Sequence, residues 1–224
     1  MKLSRKSTTI LVVSIVVAVL LIDQVMKVWV KLNFTLGEAI PVFSWFNICF
    51  VENDGMAFGI EWFDKLFLTI FRIVAIGFVG WYIHRLIATG ARTAFVVMVS
   101  LVLAGAAGNL IDCIFYGVIF SESTPFSLAT FLPEAGGYAP LFYGKVVDML
   151  YFPLITNAAG ETVFFRPVFN FADSCITVSV IVILLFFSKD LNRSLSSEKN
   201  DKTKDTQKNS ESDADHPATA NDNQ

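Results

Sequence analysis

Apolar residues in this chain run in four long blocks, at about 9–31, 65–84, 94–116 and 169–188. Each block is about 20 residues, enough to cross about 30 Å of hydrocarbon at about 1.5 Å per residue. The pattern predicts four transmembrane helices. Lysine and arginine near the block ends set their direction, because cationic loops stay on the cytoplasmic side. Lys2, Arg5 and Lys6 precede the first block, Arg85 and Arg92 lie between the second and third, and Lys189 and Arg193 follow the fourth. Both termini are then cytoplasmic, and loops 32–64 and 117–168 lie outside. The first block resembles a signal peptide, but no small-x-small cleavage site follows it. Its apolar character continues past Asp23 to Trp29 and Val30, so it reads as a retained first helix.

The segments between the blocks differ in kind. Loop 32–64 has β-like stretches at Ala39–Phe43 and Trp45–Val51, then a turn at Asn53-Asp54-Gly55. Aromatic and β-branched residues bounded by turn formers favour short strands. Phe43, Trp45, Phe46, Phe50, Phe58, Trp62 and Phe63 suit this loop to the outer membrane interface. Loop 117–168 contains Pro125, Pro133, Gly136-Gly137 and Pro140, which predicts mostly irregular backbone. Residues 190–224 are polar without apolar periodicity, the signature of a disordered tail. The expected organisation is one membrane domain over 1–189 and a cytoplasmic tail over 190–224.

Composition supports this class. The chain of 224 residues is 54% hydrophobic with 22 Phe, above the roughly 45–50% apolar content of soluble domains. No basic stripe occurs outside the termini, so nucleic-acid binding is not expected. Cys49, Cys113 and Cys175 have no metal-ligand spacing, and neither His84 nor His216 has a second ligand near it in sequence. No cofactor and no metal site are expected.

The chemistry lies in polar residues at one end of the blocks. Counted along the first block, Asp23 is about 21 Å up, about 9 Å below the outer boundary. Asn109 and Asp112 fall near that boundary, as do Asn170 and Asp173 at the start of the fourth block, and Asp148 lies in the loop on the same side. Arg72 descends to about 10 Å below the surface, level with Asp23. Lys27 stands one turn from Asp23 and in reach of it. A carboxylate costs several kcal/mol at the bilayer centre, so acids retained in membrane helices mark function. Convergence at one depth favours a catalytic site over a conduction path. Two aspartates a few Å apart cannot both ionise cheaply, so they share a proton: one activates water, the other donates to a carbonyl. Spacing alone leaves a second reading open, in which each acid is a helix cap or an ion-pair partner. A proton-coupled transporter is the runner-up activity. The inner halves of the blocks, such as Val12–Leu20 and Val178–Phe186, carry only hydroxyls as polar groups, which counts against a proton route.

Five ordered motifs then carry a resemblance: Asp23-Gln24-x-x-Lys27, Asn53-x-Gly55-x-Ala57-Phe58-Gly59, Gly105-Ala106-x-Gly108-Asn109-x-x-Asp112, Val146-Val147-Asp148 and Phe169-Asn170-x-Ala172-Asp173-Ser174. The chain resembles the lipoprotein signal peptidases, the type II signal peptidases of bacteria, in a longer-loop form. The resemblance implies an all-α membrane fold of four transmembrane helices, with a small extracytoplasmic β-sheet region and a second long outer loop. It implies an aspartic endopeptidase of the bacterial cytoplasmic (inner) membrane. Such an enzyme removes signal peptides from diacylglyceryl-modified prolipoproteins, cutting just before the lipid-modified cysteine. Asp148 and Asp173 match the catalytic aspartates. Asp23, Lys27, Asn53, Asn109, Asp112, Asn170 and Ala172 match positions that shape the site or contact substrate. Membrane lipids and globomycin-type inhibitors are the implied partners, and a monomer is expected.

Two departures stand out. The family usually places arginine directly after the acid of the Asn-x-x-Asp motif, where this chain has Cys113. Arg72 is the expected compensating cation, being the only arginine at membrane depth on the outer side. Residues 117–143 read as an insertion between Asp112 and Asp148.

Overall fold

The computed structural model describes residues 3–54, 65–156, 162–164 and 167–196. The first helix, α1 (Arg5–Asn33), is continuous through the expected span; the Ser4 hydroxyl caps its start by accepting from the Ser7 amide. Helices α2 (Lys65–Ala88) and α3 (Thr93–Ile111) follow. Helix α3 widens into a π-helical turn (Asp112–Tyr116) and ends in the short α4 (Gly117–Ile119). Helix α5 (Phe171–Phe186) bends by 83° into α6 (Ser188–Ser196). Among the described residues, three helices are long and apolar enough to cross a membrane. With its 16 residues, about 24 Å of rise, α5 joins them only when α6 is counted with it. Helix α6 also carries regular structure into residues 190–196, a stretch expected to be irregular. The rest of the tail lies outside the described residues.

Large apolar side chains on α1, α2 and α5, among them Leu21, Val25, Phe71, Val74, Leu184 and Leu185, point outward. A continuous apolar belt of this extent belongs to a protein solvated by lipid. Inside the bundle, packing divides into two clusters. Val12, Leu86, Phe95, Val96 and Phe187 fill the end that carries the chain's N-terminus. Val30, Phe34, Phe50, Tyr116, Phe120, Val147 and Met149 fill the opposite end.

That opposite end carries a four-stranded antiparallel sheet in the order β1-β2-β3-β6. Strands β1 (Ala39–Phe43) and β2 (Phe46–Asn53) form the hairpin expected in loop 32–64. Strands β3 (Val146–Tyr151) and β6 (Val168–Phe169) come from loop 117–168 and its join to the fourth block; most of the other described residues of that loop are irregular, as expected. Strands β4 (Ile155–Thr156) and β5 (Thr162–Phe164) pair separately. The prolines and glycines that suggested irregularity cluster in 125–140, ahead of β3, and the apolar run Val146–Tyr151 reads as a strand once buried on both faces. The register sets Val51 opposite Asp148 and Asn53 opposite Val146.

The insertion packs along the π turn. The backbone amides of Phe142, Gly144 and Ala139 donate to the carbonyls of Ile114, Cys113 and Gly117 at 3.1, 2.9 and 2.9 Å. A π turn shifts the helical hydrogen-bond pattern and leaves carbonyls in need of donors, which this strand of backbone supplies. Gly144 is required at the contact, because a Cβ there would run into the Asp112 carbonyl.

Candidate active site

Positions 23, 27 and 31 recur every four residues on α1 and face inward together, and all three side chains are fully buried. The Lys27 ammonium has three acceptors: Asp23 at 2.9 Å, Asp112 at 2.8 Å and Asn109 Oδ1 at 2.8 Å. Its three donors are all used, which a buried charge needs. Gln24 closes the ring by donating to Asp112 Oδ1 at 2.9 Å and to Asp23 Oδ2 at 3.2 Å, while its own carbonyl accepts from Tyr116 at 3.1 Å.

Each acid paired with Lys27 also holds a backbone amide. Asp112 Oδ2 accepts from the amide of Val147 at 3.3 Å, and Asp23 Oδ1 accepts from the amide of Ala172 at 3.0 Å. Val147 directly precedes Asp148, and Ala172 directly precedes Asp173. The ammonium hub of α1 and α3 thereby fixes the strand and the helix start that carry the two remaining aspartates. The Ala172 amide is one of the orphan donors of the first turn of α5, so Asp23 also satisfies that helix end. Close approach of α1 to α3 requires Gly108: a Cβ there would lie 2.7 Å from Asp23 Oδ2.

Asparagines bridge the second pair. Asn170 caps α5, its Oδ1 accepting from the Asp173 amide at 2.8 Å, and Asp173 completes the capping box towards the Asn170 amide. That bond fixes the orientation of the Asn170 amide, leaving its two N–H groups for Asp148 Oδ1 at 2.7 Å and Asn109 Oδ1 at 3.0 Å. Asn109 donates to Asp173 Oδ1 at 2.7 Å, and Asn53, at the end of β2, donates to Asp148 Oδ2 at 3.2 Å. Asp148 is only 2% exposed. Burial pushes its carboxyl up to about 7, with the neighbouring Asp173 charge adding to the shift and the Asn53 and Asn170 amides opposing it. Asp173 thus both completes the capping box of α5 and acts electrostatically on Asp148.

Asp23, Lys27, Asn53, Asn109, Asp112, Asp148, Asn170, Ala172 and Asp173 therefore meet in one connected network. Arg72 sits beside it, its Nη1 donating to Cys113 Sγ at 2.8 Å. The guanidinium thus contacts the residue directly after the acid of the Asn-x-x-Asp motif. Gly55, Ala57, Phe58 and Gly59 of the second motif lie outside the described residues.

Further contacts lie beyond the residues singled out from sequence. Tyr116 is one. A second is a buried cluster in which Lys31 pairs with Glu52 and donates to Ser123 at 2.9 Å, with Phe50, Phe120 and Tyr138 around the ammonium. The four-residue spacing of Asp23, Lys27 and Lys31 was the available signal for Lys31. Nothing local marked Ser123, which the insertion brings across 92 residues.

A family model described as Signal peptidase (SPase) II matches residues 15–189. The chain belongs to the signal peptidase II family. A lipoprotein signal peptidase of Porphyromonas gingivalis is 46% identical over 207 residues, 88% of this chain and 91% of that one. One from Amoebophilus asiaticus is 38% identical, covering 73% of this chain and 72% of the relative. A bacterial membrane enzyme solved by the in meso method aligns with a TM-score of 0.55 at 26% identity, covering 81% of this chain and 90% of its own. This is a family of membrane peptidases, and the connected aspartate–asparagine network falls inside the matched segment. The likeness to that solved membrane enzyme extends over most of the fold described above.

Proposed function

We propose that this protein is an aspartic endopeptidase that removes signal peptides from diacylglyceryl-modified prolipoproteins, cutting just before the lipid-modified cysteine. The observation that carries this reading is the paired tethering of Asp148 and Asp173. Each follows a residue whose amide is held by an acid of the Lys27 hub, and Asn170 spans the gap between them. With its carboxyl near neutrality, Asp148 holds the shared proton and donates to the scissile carbonyl oxygen. Asp173 takes a proton from the attacking water. As the tetrahedral intermediate collapses, Asp173 passes that proton to the leaving amine and a hydroxyl of the intermediate returns one to Asp148, so no covalent enzyme intermediate forms. Asn53, Asn109 and Asn170 hold both carboxylates at fixed orientation, so little reorganisation is needed at the transition state.

The substrate is a membrane helix with lipid at its cleavage end. In this reading the chain crosses the cytoplasmic membrane four times with both termini inside, and the dyad lies near the outer face, where that end of the substrate lies. An aromatic ladder leads to it: Phe43 stacks on Trp45, Trp45 on Phe152, and Phe152 on Phe169, next to Asn170. Phe43 and Trp45 are exposed and suit contact with acyl chains. Globomycin-type inhibitors would occupy the same site, and a single copy of the chain supplies every group used.

The test is cleavage of a diacylglyceryl-modified prolipoprotein by purified protein in detergent. Wild type is expected to cut, and folded Asp148→Asn and Asp173→Asn variants to lose more than about a hundredfold in rate. A folded variant cutting at the wild-type rate makes that aspartate structural and overturns the dyad.

A further inference from the structure

Far from the dyad, at the end holding the chain's N-terminus, the α2–α3 turn and α6 enclose a cleft of about 300 Å³. Arg85, Arg92 and Arg193 line it, with Asp190 the one acid. Arg92 and Asp190 stand 4.0 Å apart and are both partly exposed, so the carboxylate neutralises the cleft weakly. Tyr82 and Ser194 are hydrogen-bonded to each other and tie α6 to α2 across the cleft, and Arg92 lies over the Phe187 ring at 5.0 Å. The 83° bend turns α6 away from α5 and towards the α2–α3 turn.

The cleft adjoins apolar surface. Phe78 and Trp81 on α2 are exposed, with Arg85 over the Trp81 ring, and Leu184, Leu185 and Phe186 are exposed on α5 just before the bend. A ligand that satisfies both surfaces has an anionic head for the guanidinium groups and an apolar tail for the helix faces. Guanidinium groups suit phosphate oxygens because their planar donors bind in pairs. We propose that this cleft binds the phosphodiester head of an anionic phospholipid of the cytoplasmic leaflet, with acyl chains along α2 and α5. Basic clefts between helices at that membrane surface are suited to such heads. The leaflet assignment rests on the orientation given above; the binding chemistry does not.

The experiment is native mass spectrometry of the delipidated full chain in detergent, titrated separately with phosphatidylglycerol, phosphatidylcholine and inorganic phosphate. Wild type is expected to bind phosphatidylglycerol about tenfold more tightly than phosphatidylcholine. Arg92→Ala/Arg193→Ala should lose that preference while keeping its Tm and its prolipoprotein cleavage, and Arg92→Lys/Arg193→Lys should regain part of it. Equal preference in wild type and the alanine variant overturns the site. Phosphate binding as tight as the lipid overturns the lipid assignment in favour of a soluble anion. Failure of prolipoprotein cleavage would sink the peptidase reading without moving the lipid titration.

Discussion

Asn170 has two N–H groups and one carbonyl, and each meets a different partner: Asp148, Asn109 and the backbone of Asp173. Replacing it by alanine releases the cap of α5 and one side of Asp148 together. Asn170→Ala should abolish cleavage and lower the Tm in detergent, since a lost cap alone costs about 1 kcal/mol. Asp148 offers a pH test. Its folded-state carboxyl titrates near 7, above the ordinary 3.8, so the folded protein holds an extra proton between these values. Stability from this group therefore falls as pH rises through that window, because the unfolded chain binds fewer protons there. The Tm difference, Asp148→Asn minus wild type, should grow from pH 5 to pH 8; a difference independent of pH would show that the carboxyl is not held high. Arg72 tests the compensation. Arg72→Leu, which removes the donor to Cys113, should slow cleavage about tenfold, equivalent to about 1.4 kcal/mol. Unchanged rate and Tm would leave the guanidinium without a role.

Sheet, insertion and α1 meet at Lys31. Its pairing with Glu52 anchors β2 one residue before Asn53, and Ser123, donating to Glu52 at 2.8 Å, brings the insertion into the same contact. The insertion is thus part of the support of the site. Lys31→Met should destabilise the fold by up to about 3 kcal/mol, because the buried Glu52 keeps only Ser123 and the more distant Lys145 at 3.7 Å. Lys31→Met/Glu52→Leu should recover much of that loss, and thermal melts in detergent compare the two. Gly144→Ala probes the other side of the same packing: the added methyl meets the Asp112 carbonyl, which must shift the π turn. Overpacking of this kind costs about 1–3 kcal/mol, visible as a lowered Tm.

For the whole molecule, the two ends carry opposite chemistry. Basic residues of α2, α3 and α6 gather with the N-terminus at one end, tied by the Leu3 amide donating to Thr93 at 3.2 Å. The Lys27 hub and the Asp148–Asp173 pair gather at the other. With Cys49, Cys113 and Cys175 replaced by serine, a cysteine placed at Glu134 should react with an impermeant thiol reagent on intact cells. One placed at Ser196 should react only after permeabilisation. The reverse pattern would invert the orientation.

The sequence by itself determined the long apolar helices, the β1–β2 hairpin and most of the polar residues that meet in the aspartate–asparagine network. Hydrocarbon forces backbone hydrogen bonds inside each span, so length and hydropathy suffice, and polar residues kept at such cost mark the chemistry. Only the tertiary structure decided that loop 117–168 supplies β3 and β6, since a short apolar run is a strand or not according to its partners. It also decided that Arg72 meets Cys113 and that Lys31, Glu52 and Ser123 share one contact. Pairings across 21 to 92 residues leave no local periodicity to read, because the groups that fix them are brought together only by folding.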